Sequence, residues 1–364
     1  VSQLADLPEQ LRDALDAGRA AAGRLALVNG QVVYHEMAKG LSEQGVIFTD
    51  MTTAVREHPD LVQEYFMTEC VAPSEGKFPA LNGALWQGGA FIYVPKEVEV
   101  EEPFQVAIAL EGDGTVVFPH TLIVAERFAN VTCIEETVSL RNADQEPNGA
   151  GQNLNNGIVE IVAGDGSQVR YVEVQSWGEN VFSFNTKRAV HRPDSVVVWE
   201  MGQLGSRLTK TYVDSILKGN GSFAEFNGVY FVSDKQHVDL DTLTHHIGLG
   251  TGGDLLLKGA VRDSARAVFQ GMIKIDPSGQ QTNSYLKNEN LLLSDHGRAD
   301  SIPSLEIDAN DVRASHGATV SRIDEEYIFY LQSRGISRST AVRMIVEGFF
   351  SSIFDRMSQE RVRE

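Results

Sequence analysis

Cysteine is almost absent from this sequence, and the spacings that would hold a zinc ion or a disulfide framework are absent with it. Cys70 and Cys133 are the only two cysteines among the 364 residues, and they lie far apart in the chain. Neither belongs to a C-x-x-C pair or to a cysteine–histidine spacing of the zinc-binding type. The sequence therefore predicts neither a structural zinc site nor disulfide cross-links, and it is typical of a cytoplasmic protein.

Positive charge and long apolar runs are also scarce. The formal net charge is -19, and no dense cluster of lysine and arginine occurs. Such a chain is repelled by nucleic acids and by anionic membrane surfaces, so we expect neither as a partner. No apolar run reaches the roughly 18 residues of a membrane-spanning helix, and the first eighteen residues are too acidic for a signal peptide.

Motifs of the common catalytic classes are missing as well. The sequence contains no G-x-x-x-x-G-K-[ST], no G-x-S-x-G and no H-E-x-x-H. A G-x-G-x-x-G pattern does occur at 248–253, but a dinucleotide site requires a helix to follow it. The stretch DLLLKGAV that follows is typical of a strand, so we interpret the pattern as a turn between strands.

One acidic stretch is the only candidate for a metal site or for the acid–base pair of a carbohydrate-active enzyme. In HVDLD, the side chains of His237, Asp239 and Asp241 would share one face of a strand. Val238 and Leu240 would point the other way, toward a core. We therefore favour a solvated outer face over either kind of site.

Residues 1–86 are predicted to be mixed and largely helical. Leu4, Leu7, Leu11 and Leu15 recur at helical spacing. An Asn-Gly pair at 29–30 between two β-prone runs predicts a hairpin. The stretch TDMTTAVREHPDLVQEYFM favours helix on both sides of its proline.

Residues 87–322 show β texture almost without interruption. Apolar and polar residues alternate in segments such as QVRYVEVQSW and FAEFNGVYFVSD, and glycine-rich turn clusters separate them at irregular intervals. No amphipathic helix of useful length intervenes, which excludes an alternating βα layout. A sandwich, a barrel and a β-solenoid all fit this pattern, and the length favours a solenoid.

Residues 323–364 are predicted to form a C-terminal helical subdomain. Asp324 is placed to cap a first helix that ends near Gly335, and Ser337 is placed to cap a second. The second helix is almost continuously apolar, with more apolar surface than one face needs. It either docks onto the β-domain of the same chain or binds a partner.

Long segments of the chain closely resemble the SufB/SufD family, the scaffold subunits of the SUF iron–sulfur cluster assembly machinery. The resemblance is densest over residues 266–350, which include KNENLLLSDHG and RASHGATVSRIDEEYIFYLQSRGISRSTAVRMIVEGFF. Upstream, GVIFTD, KFPALNGALWQGGAFIYVPKEVEVEEP and FPHTLIVAERFANVTCIEE are also similar to that family. The resemblance implies a mostly β fold, a right-handed parallel β-helix flanked by helical parts.

The motifs favour the SufD-like branch of that family. SufB-like chains carry a cysteine just before the LLLSD-like run, where this chain has Asn288. They also tend to have Glu-His-Glu where this chain has Ser315-His316-Gly317, and SHGAT is the SufD-like form. Many SufD-like chains place a cysteine two residues before the histidine, but Ala314 stands here, so His316 is the only soft ligand in the motif.

The resemblance implies a non-catalytic scaffold subunit with a SufB-like partner subunit and a SufC-type ABC ATPase. His316 would then supply one iron or cluster ligand at the interface with the SufB-like subunit, and the isolated chain would bind no cofactor tightly. A structural role of His316 at a turn or at the subunit contact is the alternative. The implied ATPase-binding side chains on the terminal helices are Tyr327, Leu331, Met344, Ile345, Phe349 and Phe350.

Two other interpretations of the whole chain stay open at this point. One is a SufB-like scaffold that builds clusters by itself as a homodimer, against which Asn288 argues. The other is a carbohydrate-active β-helix enzyme, for which HVDLD is the only acidic candidate.

Overall fold

The chain is mostly β-structure, as the sequence predicts. A computed structural model describes residues 3–15, 18–140 and 151–357. Strands account for 49% of the chain and helices for 19%. Helices lie near the two ends of the sequence and strands occupy the middle, so the predicted order of segments is observed.

The helices flank a long series of strands. The α-helices are α1 (Glu9–Ala14), α2 (Lys39–Glu43), α3 (Met51–Glu57), α4 (Pro59–Tyr65), α5 (Lys77–Leu85), α6 (Glu325–Ser333) and α7 (Arg338–Phe354), and two 3₁₀ helices span Leu4–Asp6 and Pro73–Glu75. The strands are β1 (Gly23–Val28), β2 (Gln31–Met37), β3 (Ile47–Asp50), β4 (Ala90–Val94), β5 (Phe104–Glu111), β6 (Val116–Val117), β7 (His120–Ala125), β8 (Asn130–Leu140), β9 (Asn153–Ala163), β10 (Gln168–Ser176), β11 (Val181–His191), β12 (Val196–Gln203), β13 (Leu208–Leu217), β14 (Phe223–Val232), β15 (His237–His246), β16 (Gly252–Val261), β17 (Arg266–Ile275), β18 (Asn283–Leu292), β19 (Arg298–Ile307) and β20 (Arg313–Arg322).

The strands build two facing sheets that the chain enters in alternation, and both sheets are parallel except for the antiparallel pairs β1–β2 and β3–β4. Sheet A runs in the order β2-β1-β5-β8-β10-β12-β14-β16-β18-β20, and sheet B runs β19-β17-β15-β13-β11-β9-β7-β4-β3. Each turn therefore contributes one strand to each sheet, and neighbouring turns pair in parallel without a register shift from β10 to β20. The result is a parallel β-solenoid of about eight turns, which decides between the three architectures left open by the strand pattern.

The core lies between the two sheets, because alternate side chains of every strand point inward. In β15, Val238 and Leu240 are buried in this core, whereas Asp239 and Asp241 face outward and are half-buried. The alternation predicted for HVDLD is thus confirmed. The same alternation runs through all the stacked strands, so each inward side chain lies over its counterpart one turn earlier.

One row of corners is stabilised by a repeated left-handed residue. The third residue of each four-residue corner has a φ between 56° and 69°, at Gly166, Asp194, Gly221, Gly250 and Gln281. Its N–H points along the solenoid axis and donates to a carbonyl of the next corner, over 2.6–2.9 Å. Glycine tolerates this conformation best and aspartate better than most residues, which explains the three glycines and the aspartate among these five positions.

The N-terminal segment contributes strands as well as helices. The predicted hairpin is confirmed, with β1 and β2 joined by Asn29 and Gly30 at φ values of 50° and 79°. Helices α3 and α4 flank the predicted break, and Pro59 begins α4. The leucine-rich first helix is divided at Pro8, although Leu11 is buried as expected.

The division of the chain at residue 86 stays a prediction. Strand β1 pairs in parallel with β5 in sheet A, and β3 pairs with β4 in sheet B. The strands of the first 86 residues therefore extend both sheets of the solenoid. Cutting the chain at that position would remove the last strands at one end of each sheet.

Candidate functional site

The last turn of the solenoid, β19 and β20, has an unpaired edge in each sheet within the described residues. Strand β20 ends the order of sheet A, and β19 ends that of sheet B. Each of the two strands has ten residues, so both edges are long. Long free edges are templates for pairing with another chain, and proteins usually cover them.

The inner face of this turn is exposed, although the matching positions one turn earlier are buried. Leu305 and Ile307 of β19 are 38% and 39% exposed, whereas their register partners Ile273 and Ile275 are exposed by no more than 1%. Val320 of β20 also faces inward and is 45% exposed. Core-type side chains at this end are therefore left uncovered by residues 3–15, 18–140 and 151–357.

His316 stands in the middle of β20, on the same inner face. Its register partner is Leu286, an inward side chain that is 1% exposed. The imidazole itself is exposed, and within the described residues neither of its nitrogens forms a hydrogen bond. A strand centre is not a turn, so the turn-stabilising role considered for His316 is wrong.

Small neighbours keep the surroundings of His316 open. Ala314 and Ala318 are the adjacent inward residues of β20, and neither can reach across the ring. Gly317 faces outward, where an added Cβ would lie 3.2 Å from the hydroxyl of Tyr285. The imidazole is therefore available to a ligand that approaches the open end.

Asn288, at the position where we align the SufB-type cysteine, lies inside the solenoid one turn below β20. Its side chain is fully buried and donates to the carbonyl of Leu257 at 3.3 Å. Asn290 Nδ2 donates to the side-chain oxygen Oδ1 of Asn288 at 2.7 Å, and the hydroxyl of Tyr230 donates to Asn290 Oδ1. The amide is thus held in a satisfied polar network.

Both aspartates of the acidic stretch HVDLD pair with one lysine of the chain. Lys210 Nζ, on the neighbouring strand β13, lies 2.9 Å from Asp239 Oδ1 and 2.7 Å from Asp241 Oδ2. Among the described residues, no group of three or more His, Cys, Asp or Glu side chains is arranged to hold a metal ion. The predicted solvated outer face therefore describes this stretch better than a metal site or an acid–base pair does.

Neither cysteine is placed to act as a ligand or nucleophile. Cys70 and Cys133 are both unpaired and buried. Burial, together with nearby glutamates, raises the pKa of both thiols well above the usual range. A thiol needs its thiolate form to bind a metal or attack a carbonyl, so these two side chains fit the packed interior.

Helix α7 docks onto the outer face of sheet A through its C-terminal half. Phe350 and Ile353 pack against a patch on β14 and β16 that includes Val229 and Leu256. Lys258 donates to the Phe349 carbonyl oxygen at 2.8 Å, and its ammonium lies 4.7 Å from the centre of the Phe349 ring. Docking onto the chain's own β-domain thus accounts for much of the apolar surface of α7.

Helix α6 carries the most exposed aromatic surface of the terminal helices. Tyr327, Phe329 and Tyr330 are 64%, 74% and 56% exposed, and only Ile328 of this helix is buried. Met344 of α7 is 43% exposed. Sequence reasoning missed Phe329 and Tyr330, although the run EEYIFYLQ has aromatic or aliphatic residues on more than one face.

The predicted partner-binding side chains therefore differ in availability. Tyr327 and Met344 are exposed, whereas Phe350 is only 7% exposed and packs within the chain. The remaining three, Leu331, Ile345 and Phe349, are half-buried. An ATPase that docks here would contact α6 and the exposed face of α7, and would not reach Phe350 directly.

Two family models together cover most of the chain. Residues 108–349 match the SUF system FeS cluster assembly SufBD core domain, and residues 19–106 match the SufBD protein N-terminal region. The boundary between the two falls inside β5. The chain belongs to the SufB/SufD family, as its motifs predict.

Curated relatives from both branches of the family are similar to the chain. The iron-sulfur cluster assembly protein SufD of Bacillus subtilis is 34% identical over 100% of this chain and 82% of its own length. The SufB protein of the same organism is 31% identical over 98% of this chain and 76% of its own length. A SufBD family protein of Staphylococcus epidermidis is 32% identical over the same shares. Overall identity therefore does not separate the branches, and the motif residues must do so.

No described helix is both long enough and apolar enough to cross a membrane.

Proposed function

We propose that the chain is a SufD-like, non-catalytic scaffold subunit of the SUF iron–sulfur assembly machinery in the cytoplasm. In this role it pairs end to end with a SufB-like subunit and docks a SufC-type ABC ATPase. The observation that carries the proposal is the uncovered last turn of the solenoid with His316 at its centre. Asn288 and the SHGAT motif support the SufD-like branch.

Pairing through the last turn would account for both its free backbone groups and its exposed apolar side chains. A partner strand would satisfy the free backbone groups of β19 and β20. A partner's apolar face would bury Leu305, Ile307 and Val320, whose exposed surface is costly to leave in water. We infer that the partner is another solenoid end of the same family.

The iron–sulfur cluster enters this scheme as cargo, and His316 supplies one ligand to it. A neutral imidazole is a suitable ligand for iron, and this one is exposed with both nitrogens unengaged within the described residues. A single histidine cannot hold a cluster, because a cluster needs several protein ligands. The remaining ligands would come from the SufB-like subunit on the other side of the contact.

ATPase docking is supported by the aromatic face of α6. Tyr327, Phe329 and Tyr330 form an exposed surface of the kind that is enriched at protein interfaces. Helix α6 rests on α7, and the ion pair between Glu325 and Arg338 at 2.7 Å joins them. Because α7 in turn packs on sheet A, movement of a docked ATPase would be passed to the solenoid.

Co-purification tests the proposal. The tagged chain would be expressed together with untagged SufB-like and SufC-type subunits from the same genome, and the captured complex would be weighed by native mass spectrometry. We expect one copy of this chain with one SufB-like subunit and the ATPase. A stable homodimer that excludes the SufB-like subunit would contradict the proposed pairing and favour the self-sufficient scaffold.

A further inference from the structure

The outer faces of the two sheets are covered to different extents. Helix α7 packs on the outer face of sheet A. On sheet B, residues of α3, α4 and the segment after them pack against β4, β7, β9 and β11, in clusters that include Leu122 and Val190. Closer to the open end, Tyr212 of β13 and Ile302 of β19 point outward and are 40% and 50% exposed.

A groove crosses these less covered strands and reaches the open end. Its floor consists of register partners on β13, β15, β17 and β19, with Tyr212, Asp241, Gln270 and Ile302 in one row and Asp214, Leu243, Met272 and Ser304 in the next. These side chains line a cavity of about 360 Å³. A second cavity of about 450 Å³ beside α5 shares Tyr212 and Asp214 with it. Since β19 is the last strand of sheet B, the groove ends where the proposed partner pairs.

Apolar side chains follow one another along this groove. Tyr212, Leu243, Met272 and Ile302 stand on four successive strands of sheet B, and Leu243 and Met272 are half-buried. Strands are spaced about 4.8 Å apart, so the row from β19 to β13 is about 14 Å long. An extended segment of four or five residues, at about 3.3 Å per residue, spans that distance.

The charged side chains that line the smaller cavity are Asp214 and Asp241. Asp214 is only 8% exposed, and Arg188 donates to its Oδ2 from Nε at 3.0 Å and from Nη2 at 2.7 Å. Its other oxygen, Oδ1, accepts no hydrogen bond from any described residue. Buried carboxylate oxygens normally have a donor, so Asp214 Oδ1 is an open acceptor in the groove.

Neighbouring cations compensate these carboxylates only in part. Each of two cations is shared by two carboxylates, Arg188 by Asp214 and Glu75, and Lys210 by Asp239 and Asp241. Four carboxylates therefore face two cations around the middle of the groove. Burial raises the pKa of Asp214, Arg188 opposes that rise, and Glu75 and Asp241 add to it. An additional cation at this position would relieve the excess of negative charge.

The other charged side chains around the groove have partners of their own. Lys77, at the end beside α5, lies 5.0 Å from the centre of the Phe78 ring. Along the outer face of β15, β17 and β19, His245 pairs with Asp276, Lys274 pairs with Glu306, and Arg266 and Arg298 share Asp300. Arg266 and Arg298 precede the floor residues Gln270 and Ile302 by four positions, so their charges lie beside the groove and not in it.

We propose that this groove binds an extended basic segment of the SufB-like subunit, with a lysine or arginine side chain at Asp214 and apolar neighbours against Leu243, Met272 and Ile302. The carboxylates favour a cation, and the aliphatic stem of lysine or arginine can pack along the ring of Tyr212. The open end favours this source, because a subunit paired with the last turn is the partner nearest to the groove. The inference rests on the pairing proposed above and adds a second contact to it.

A lysine placed in the groove gives the first test. Met272→Lys puts an ammonium group on the floor beside Asp214 and should repel the basic segment. Met272 lies one turn before β19, so the substitution leaves the strand edge itself unchanged. We expect about tenfold weaker binding of the SufB-like subunit, measured as Kd by biolayer interferometry. Asn283→Lys adds the same charge in the same turn at an exposed position on β18 of sheet A, and this control should bind as the wild type does.

The dependence of Kd on NaCl shows whether charge is responsible. Salt screens ion pairs that are reached by solvent, so Kd of the wild type should rise with NaCl concentration. Asp214→Asn removes the charge at the open acceptor and should make that rise shallower, and its melting temperature would show that the variant is folded. Equal salt dependence of the wild type and a folded Asp214→Asn would contradict a cation at Asp214.

Cross-linking in the assembled complex identifies the occupant directly. With p-benzoylphenylalanine in place of Tyr212, three strands away from β19, we expect a cross-link to a segment of the SufB-like subunit that contains lysine or arginine. A complex that forms normally, is insensitive to Met272→Lys and gives no such cross-link would overturn this inference and leave the proposed pairing intact. A cross-link to the ATPase or to a second copy of the chain would overturn it as well. If the wild type captures no SufB-like subunit, the pairing itself is wrong, and this inference fails with it.

Discussion

The two ends of the solenoid are built from the same strand repeat, but their inward side chains are covered to different extents. At the N-terminal end, the β1–β2 hairpin extends sheet A and β3 extends sheet B, so the inner side chains Leu25, Leu27 and Phe48 are exposed by no more than 2%. Phe48 stacks on Phe104 with 4.5 Å between ring centres. At the C-terminal end, Ile307 and Val320 hold comparable inward positions and are 39% and 45% exposed.

The two ends therefore obtain their stability from different sources. The N-terminal end buries its apolar surface with residues of its own chain, so its contribution is part of the folding free energy. The C-terminal end keeps apolar surface that no described residue buries, and under the proposed pairing its contribution is available for association.

Truncating Phe48 should destabilise the isolated chain far more than truncating Ile307. Phe48→Ala removes a ring that is 2% exposed, and such a change costs about 3–5 kcal/mol of unfolding free energy. Ile307→Ala should cost about 1 kcal/mol or less, because the side chain is already partly in water. Urea unfolding of both variants measures the difference, and similar losses would mean that the last turn is covered by its own chain.

A charge at the open end should abolish pairing while leaving the isolated chain folded. Val320→Asp and Ile307→Asp would each place a carboxylate in the proposed contact, and we expect at least about a hundredfold weaker capture of the SufB-like subunit. Analytical ultracentrifugation of the mixture measures the loss. Val32→Asp, on the exposed hairpin strand at the opposite end, is the control and should pair normally. Normal pairing of both open-end variants would place the contact elsewhere.

Replacing an exposed aromatic on α6 should weaken ATPase capture without affecting pairing. Phe329→Ser removes a ring that is 74% exposed, and loss of a central aromatic at an interface typically costs about 2 kcal/mol or more of binding free energy. Capture of the SufC-type ATPase on immobilised chain measures the effect. Deleting residues 336–364 should abolish capture, but it also uncovers the apolar patch of sheet A, so Phe329→Ser is the sharper variant.

His316→Ala should reduce cluster yield in the complex without a change in melting temperature. The ring is exposed and its inward neighbours are alanines, so its removal opens no cavity and should cost less than about 1 kcal/mol. Loss of a ligand would instead lower the cluster absorbance after anaerobic reconstitution. If melting temperature and yield fall together, the histidine supports the contact between subunits. Unchanged yield would show that it is dispensable.

The local elements of the fold were predictable because each depends on a few neighbouring residues. The Asn29-Gly30 turn has the left-handed φ values that this pair tolerates best. Pro59 begins α4, a position where proline's missing N–H costs no hydrogen bond. Val238 and Leu240 face the core because a strand with one buried side must alternate.

The solenoid itself was not decided by that alternation, because a strand in a sandwich or a barrel alternates in the same way. A stronger signal lay in the corners. Four-residue corners begin at residues 164, 192, 219, 248 and 279, at intervals of 27 to 31 residues, and each ends in serine or threonine. In Ser195, Ser222 and Thr282, the hydroxyl donates to the carbonyl of the first corner residue at 2.7–2.9 Å. Other residues replace both corner glycines in RPDS and the second one in GQQT, which makes the repeat hard to recognise in the sequence.

The site was predicted less completely than the fold, since exposure depends on contacts between distant segments. The apolar pattern of α7 indicates that the helix must be covered, but it does not tell whether sheet A or another protein covers it. Phe350 is covered by sheet A and Tyr327 is not. His316 was found through its motif, whereas its position on the inner face follows only from the register between β18 and β20.

Because the register of the stacked turns is unbroken, the length of the solenoid can change only in steps of one turn. Each turn adds one strand to each sheet, and strands are spaced about 4.8 Å apart. Insertion or deletion of one whole turn would move His316 relative to the N-terminal end by that single step, while the chemistry of both ends stayed the same. A deletion of half a turn would instead transfer the last strand to the opposite sheet. The reach of the chain between its two ends can therefore change during evolution only in whole turns.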